Sequence, residues 1–128
     1  MEKQKRILVV DDESDMVDIV KLNLELQGYH VLSAMDGQEG LRMVKEQQPD
    51  LILLDVMMPQ MNGYQVCRLL KFDDQYKHIP IILLTARART EDRKEAQAVG
   101  ADSFITKPFS MSDLLTKVGD LLGDHGSA

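Results

Sequence analysis

"KRILVVDDES", Lys5 to Ser14, is the stretch on which the fold turns. Ile7 to Val10 is an unbroken run of β-favouring apolar residues, the composition of a strand covered on both faces. It runs straight into two carboxylates, Asp11 and Asp12, with Glu13 and Asp15 close behind. Adjacent like charges repel, and an unpaired carboxylate at the mouth of a core strand is costly. So much negative charge at this place needs a reason.

The pattern recurs along the chain. Val31–Ala34, Leu51–Leu54 ("LILL"), Ile81–Leu84 ("IILL") and the short Phe104–Ile105 are the further apolar runs. A segment with helix signals follows each. Ser14 or Asp15 is expected to cap a helix carrying Met16, Ile19, Val20 and Leu24, stopped by Gly28. Leu41 and Val44 mark a second helix that ends before Pro49. Val66, Leu69 and Leu70 mark a third, with Pro80 in its exit loop, and a fourth spans about Thr90 to Val99 before Gly100. Ser110-x-x-Asp113 resembles a capping box opening a last helix through Leu122. Strict alternation of buried strands with helices predicts an α/β fold, a parallel sheet covered on both sides. Right-handed crossovers make it doubly wound.

The 128 residues suit one domain, and 44% hydrophobic with 28% charged residues reads as soluble and globular. No apolar run approaches the ~20 residues of a membrane helix, and "MEKQKR" has no apolar stretch behind it, so no secretion signal is expected. Cys67 is alone, which excludes an internal disulfide and suits a reducing, cytoplasmic setting. A net charge of −6 argues against direct nucleic-acid binding by this domain. Residues 1–122 are expected to form the domain and residues 123–128, with "DHGSA", a disordered tail.

Ligands of such sheets bind at the carboxyl ends of the strands. Those ends carry Asp11 and Asp12, Asp55, Thr85, and Thr106-Lys107-Pro108. Taken singly each has a plain explanation: a turn or cap for the Asp pair, solvated loop residues for Asp55 and Lys107, nothing notable for Thr85. Convergence of all of them on one edge favours a site. Three carboxylates without His or Cys call for a hard cation, and Mg²⁺ is favoured because it is held by one or two carboxylates plus waters and a phosphoryl group. Asp55 is then placed to act as a nucleophile forming an acyl phosphate, with Lys107 and Thr85 contacting the phosphoryl oxygens.

With "VVDDE", "LILLDVMMPQMNG", "LLTA" and "GADSFITKPF" in this order and spacing, the sequence resembles the receiver domains of two-component response regulators from about Arg6 to Leu122. The resemblance implies a single-domain, chemotaxis-regulator-like, flavodoxin-like fold: five parallel strands in the order 2-1-3-4-5 with five helices. It implies that Asp55 is the phosphoacceptor of a sensor histidine kinase or histidine phosphotransfer protein, or of small phosphodonors. By matching position, Asp12, Asp55 and the backbone carbonyl of Met57 would bind Mg²⁺, and Asp11 would act mainly through a metal-bound water. Lys107 would pair with a phosphoryl oxygen, and its bond to Pro108 is typically cis. Pro59 and Gly63 would shape the loop after Asp55. On phosphorylation Thr85 would move toward the phosphoryl group and the aromatic at Phe104 would turn inward, altering the surface of helix four, strand five and helix five for a downstream protein target. Here the aromatic is Phe, so an outward state gains no phenol hydrogen bond. The core-filler reading of Phe104 is compatible with that role.

Met57 and Arg87 lie two residues beyond Asp55 and Thr85, and neither is a carboxylate or amide suited to orient an attacking water. A fairly long-lived phosphoaspartate is therefore expected, with ordinary loop residues as the alternative. His30, His78 and His125 do not sit where a phosphotransfer histidine on a helix would. A phosphatase of the haloacid dehalogenase type would need a D-x-D nucleophile motif ending strand one and a later acidic pair, and Asp11-Asp12-Glu13 is not that pattern. Beyond its own phosphorylation and slow dephosphorylation no enzymatic turnover is expected. The domain is read as a monomer, with dimerisation on phosphorylation left open: Asp102 and Lys117 keep charges on the output face, while Ser103 stands where relatives that pair there often carry an acid.

Overall fold

Each apolar run becomes a strand and each intervening pattern a helix. The computed structural model describes residues 4–86 and 89–123. In chain order the elements are β1 (Arg6–Val10), α1 (Ser14–Leu26), β2 (His30–Ala34), α2 (Gly37–Gln47), β3 (Leu51–Asp55), α3 (Gly63–Lys71), β4 (Ile81–Thr85), α4 (Thr90–Ala98), β5 (Ser103–Thr106) and α5 (Met111–Leu122). The sheet order is β2-β1-β3-β4-β5, with every neighbouring pair parallel, the doubly wound order expected above.

Successive strand residues point to opposite faces, so a strand apolar throughout feeds two layers. Leu8, Val10, Ile52, Leu54, Ile81 and Leu83 pack with Val44 of α2, Val66 and Leu70 of α3 and Ala96 of α4. Ile7, Val9, Leu51, Leu53, Ile82 and Leu84 pack with Val20 and Leu24 of α1 and Leu114 and Val118 of α5. The helices thus divide into α2–α4 on one face and α1 with α5 on the other.

Helix details depart from the sequence reading where the tertiary structure overrides local preference. Neither Ser14 nor Asp15 is the N-cap of α1. That position is Glu13, whose side chain makes no capping bond. Its N–H donates to Asp11 Oδ1 at 2.9 Å and its carboxylate is drawn to Lys107 at 3.1 Å. Ile19 and Leu69, counted among the apolar helix positions, are 57% and 54% exposed. The inward faces are set by Val17, Val20 and Leu24 in α1 and by Val66, Cys67 and Leu70 in α3. Gly28, at φ 98°, ends α1 as expected, and Ser110 Oγ caps α5 by accepting from the Asp113 N–H at 3.0 Å.

One ion pair ties the end of α3 to the loop and first residue of β4 and to the α4–β5 loop. The Lys71 ammonium donates to the carbonyls of Lys77 at 2.8 Å and Ile79 at 3.0 Å and to Asp102 Oδ2 at 2.8 Å. Asp102 Oδ2 also accepts from the Ile81 N–H at 2.8 Å. The charge of Asp102, assigned from sequence to the output face, is therefore engaged within the domain. Removing the ammonium strands a carboxylate and two carbonyls. Lys71→Met is expected to cost about 2–3 kcal/mol, read as a lower urea midpoint with an unchanged slope.

Candidate functional site

The sheet register sets the site. Val10 pairs with Ala34 and with Leu54, Asp55 with Leu84, and Thr85 with Thr106. The ladder then runs one step past the strands: the Asp11 N–H donates to the Ala34 carbonyl (3.1 Å), that of Val56 to Leu84 (2.8 Å) and that of Lys107 to Thr85 (2.7 Å). The candidate side chains are thus held by backbone hydrogen bonds at the carboxyl edge of the sheet, the position expected from the sequence. Asp11, Asp55 and Thr85 are the buried polar residues of the described chain.

Lys107 reaches across from β5 and answers the charge at the end of β1. Its Nζ donates to Asp11 Oδ2 at 3.0 Å, to Glu13 Oε1 at 3.1 Å and to Asp55 Oδ1 at 3.2 Å. An ammonium has three N–H donors, so three carboxylates use them all. Asp11 and Asp55 side chains are 0% and 4% exposed, whereas that of Glu13 is 64% exposed. Burial, and then the neighbouring Asp11 charge, raise the Asp55 carboxyl from 3.8 to about 6, although Lys107 and the Met57 N–H favour its charged form. Burial alone would lower the Lys107 ammonium, but its bonds to Asp11 and Glu13 and the Asp55 and Asp11 charges carry it above its usual range.

Asp11, Asp12 and Asp55 each offer a carboxylate oxygen, and these atoms lie within 4.8 Å of one another, with Asp12 exposed and the other two buried. Clustered oxygen donors with one face open to solvent fit a hard divalent cation that keeps several waters. The loop beyond Asp55 is shaped by Gly63: a Cβ there would overlap the Asp55 carbonyl oxygen and lie 2.9 Å from the Val56 Cα. Asn62 and Gln65 form a full capping box that starts α3 immediately after this turn. Met57 is 67% exposed beside the site, and Arg87, its counterpart after Thr85, lies outside the described residues. The Lys107–Pro108 bond is cis. Phe104 is not part of the carboxylate cluster. It is half-buried on β5 against the α2–α4 layer, and the Arg93 guanidinium of α4 sits over its ring at 5.4 Å.

Glu13 is the member of the site that sequence reasoning missed. Its partner lies 94 positions along the chain, and helix-start rules direct attention to Ser14 and Asp15 instead. The available signal was an imbalance, three consecutive acids after β1 against one lysine after β5.

The response regulator receiver domain model matches residues 7–119. The DNA-binding dual master transcriptional regulator RpaA of Synechocystis sp. is 41% identical over 117 residues, covering 91% of this chain and 48% of that protein. The chain spans about half the length of the curated relatives it matches. Among solved structures, the Vibrio cholerae chemotaxis protein CheY4 superposes with a TM-score of 0.88 at 34% identity, covering 94% of this chain and 100% of that one. The receiver domain of the sensor histidine kinase PA1611 of Pseudomonas aeruginosa superposes with a TM-score of 0.86 at 29% identity over 95% of this chain and all of its own, and has a magnesium ion coordinated in its active-site cleft. The family match over nearly the whole chain agrees with the order of the strands and the acidic pocket at their ends: this chain belongs to the response regulator receiver domain family.

Proposed function

We propose that residues 1–122 act as a phosphoacceptor switch in which Asp55 takes a phosphoryl group from the phosphohistidine of a sensor histidine kinase or histidine phosphotransfer protein, or from a small phosphodonor. The observation that carries this reading is the buried Asp55 carboxylate set 3.2 Å from the Lys107 ammonium and within the Asp11–Asp12–Asp55 cluster. An Asp55 carboxylate oxygen attacks phosphorus, the bond to the donor imidazole nitrogen breaks, and the proton taken up by that nitrogen leaves with the donor. Asp12, Asp55 and the Met57 carbonyl are the residues that would hold Mg²⁺, with Asp11 joined through a water. When bound, the ion would supply neutralisation of the negative charge gathered at the site. Lys107 turns one of its donors to a phosphoryl oxygen, and Thr85, at the neighbouring strand end, offers its hydroxyl to another.

The donor protein reaches Asp55 over the groove between α1 and the β5–α5 loop. Met16, Ile19, Phe109 and Met111 line it, and Glu13 and Lys107 stand at its edge, continuous with the carboxylate cluster. The output surface is that of α4, β5 and α5, where Thr85 and Phe104 couple the phosphoryl group to a downstream protein target. The relatives named as transcriptional regulators extend well beyond the half that this chain matches. Among the described residues no helix is long and apolar enough to cross a membrane. With the lone Cys67 free and buried, this suits a cytoplasmic domain that is monomeric before phosphorylation.

Incubation with acetyl phosphate and Mg²⁺ is expected to add one phosphoryl group to the wild-type chain by intact mass, and none to Asp55→Asn or to wild type in EDTA. Continuous turnover of phosphoesters, or no adduct on folded protein, contradicts the proposal.

A further inference from the structure

Of the three carboxylates that share Lys107, two belong to the cluster suited to a divalent cation, Asp11 and Asp55, and Glu13 alone stands outside it. A cation among Asp11, Asp12 and Asp55 draws on the carboxylates that Lys107 uses and repels the ammonium. Lys107 cannot retreat far, because its backbone N–H is fixed to the Thr85 carbonyl at 2.7 Å and its side chain is only 18% exposed. Glu13 is in place to receive it. Glu13 occupies the N-cap of α1, yet its side chain makes no capping bond and reaches Lys107 instead. Its own N–H is pinned to Asp11 Oδ1 at 2.9 Å, which fixes it beside the cluster.

We propose that Glu13 is a positioning residue for Lys107, the partner that keeps the ammonium at the mouth of the site when a divalent cation takes over Asp11 and Asp55. This rests on the metal-dependent reading above. The contact counts for more in the metal-loaded protein, where the cation competes with Lys107 for Asp11 and Asp55, than in the metal-free protein, where the ammonium shares all three carboxylates. A ligand's affinity follows that difference between states. Glu13 therefore strengthens metal binding by contact with Lys107 and not by its charge alone.

Asp at this position separates the two effects. It keeps the negative charge, is a good N-cap residue, and is one methylene too short for the 3.1 Å contact. The test is titration with Mn²⁺ in place of Mg²⁺, by water-proton relaxation or calorimetry, on wild type, Glu13→Gln and Glu13→Asp, with exposed Asp15→Asn as a charge control. Both Glu13 variants are expected to raise the Mn²⁺ Kd about threefold, the scale of an exposed ion pair, and Asp15→Asn to change it by less than about half as much. Glu13→Asp binding like wild type would reduce the effect to charge and overturn the proposal, as would Glu13→Gln binding like wild type. Failure of the wild-type chain itself to bind Mn²⁺ at millimolar concentration would remove the metal reading and the proposal together.

Discussion

Gly63→Ala is expected to lose 3 kcal/mol or more of folding stability, roughly the upper range for overpacking in a close-packed interior. The added methyl runs into the Asp55–Val56 backbone: the Asp55 carbonyl oxygen, with which it overlaps, and the Asp55 carbonyl carbon and Val56 Cα, each 2.9 Å away. None of these is the end of a flexible side chain. The Gly63 N–H also donates to the Val56 carbonyl at 3.0 Å, so α3 cannot back away without breaking that bond and the capping box behind it. Gly28→Ala provides the contrast. There the cost comes from the positive φ of 98°, with nothing within 4 Å of the new Cβ, and about 1 kcal/mol is expected. Urea midpoints of the two variants should differ by more than twofold in their shift from wild type. Equal shifts would mean that the β3–α3 turn relaxes freely.

Asp55→Asn is expected to be more stable than wild type at neutral pH in the absence of metal. A site residue here costs the fold something, because burial and the Asp11 charge raise the Asp55 carboxyl from 3.8 to about 6. A folded-state value above the unfolded one means that the folded protein binds the extra proton, so stability falls as pH rises from about 4 to about 6. At 1.36 kcal/mol per pH unit the penalty in the ionised state is about 2–3 kcal/mol. Asn keeps the shape and removes the charge, and Lys107 retains Asp11 and Glu13. Unfolding free energies of the two chains in EDTA should converge below about pH 4 and separate in favour of the variant up to about pH 7. A variant no more stable than wild type at pH 7 contradicts the description of the site as strained by charge.

The strands and the site were legible in the sequence for one shared reason. A parallel sheet buried on both faces needs continuous apolar runs, and these end abruptly where polar residues begin, so Asp11, Asp55, Thr85 and Lys107 mark their own places at the sheet edge. Helix faces were less legible. α1 carries apolar residues around most of its circumference, and only packing against β1 and α5 decides that Val17 faces in and Ile19 out. The roles of Glu13 and Asp102 were hidden for a different reason: both are fixed by lysines far away in sequence, Lys107 and Lys71. A charge on a helix end or an apparent surface face looks the same in sequence whether it meets water or a folded-back ammonium.

The central claim is that the phosphoryl group is carried by the carboxylate of Asp55 and by no other acid in the cluster. Borohydride reduction of the acetyl phosphate-treated protein, followed by peptide mapping, tests this directly, since an aspartyl phosphate is reduced to homoserine. Homoserine at position 55 in the Mg²⁺-treated wild-type chain, and nowhere in the untreated chain, is the predicted result. Homoserine at Asp11 or Asp12, or unreduced Asp55 in a protein whose mass shows the adduct, would contradict the account.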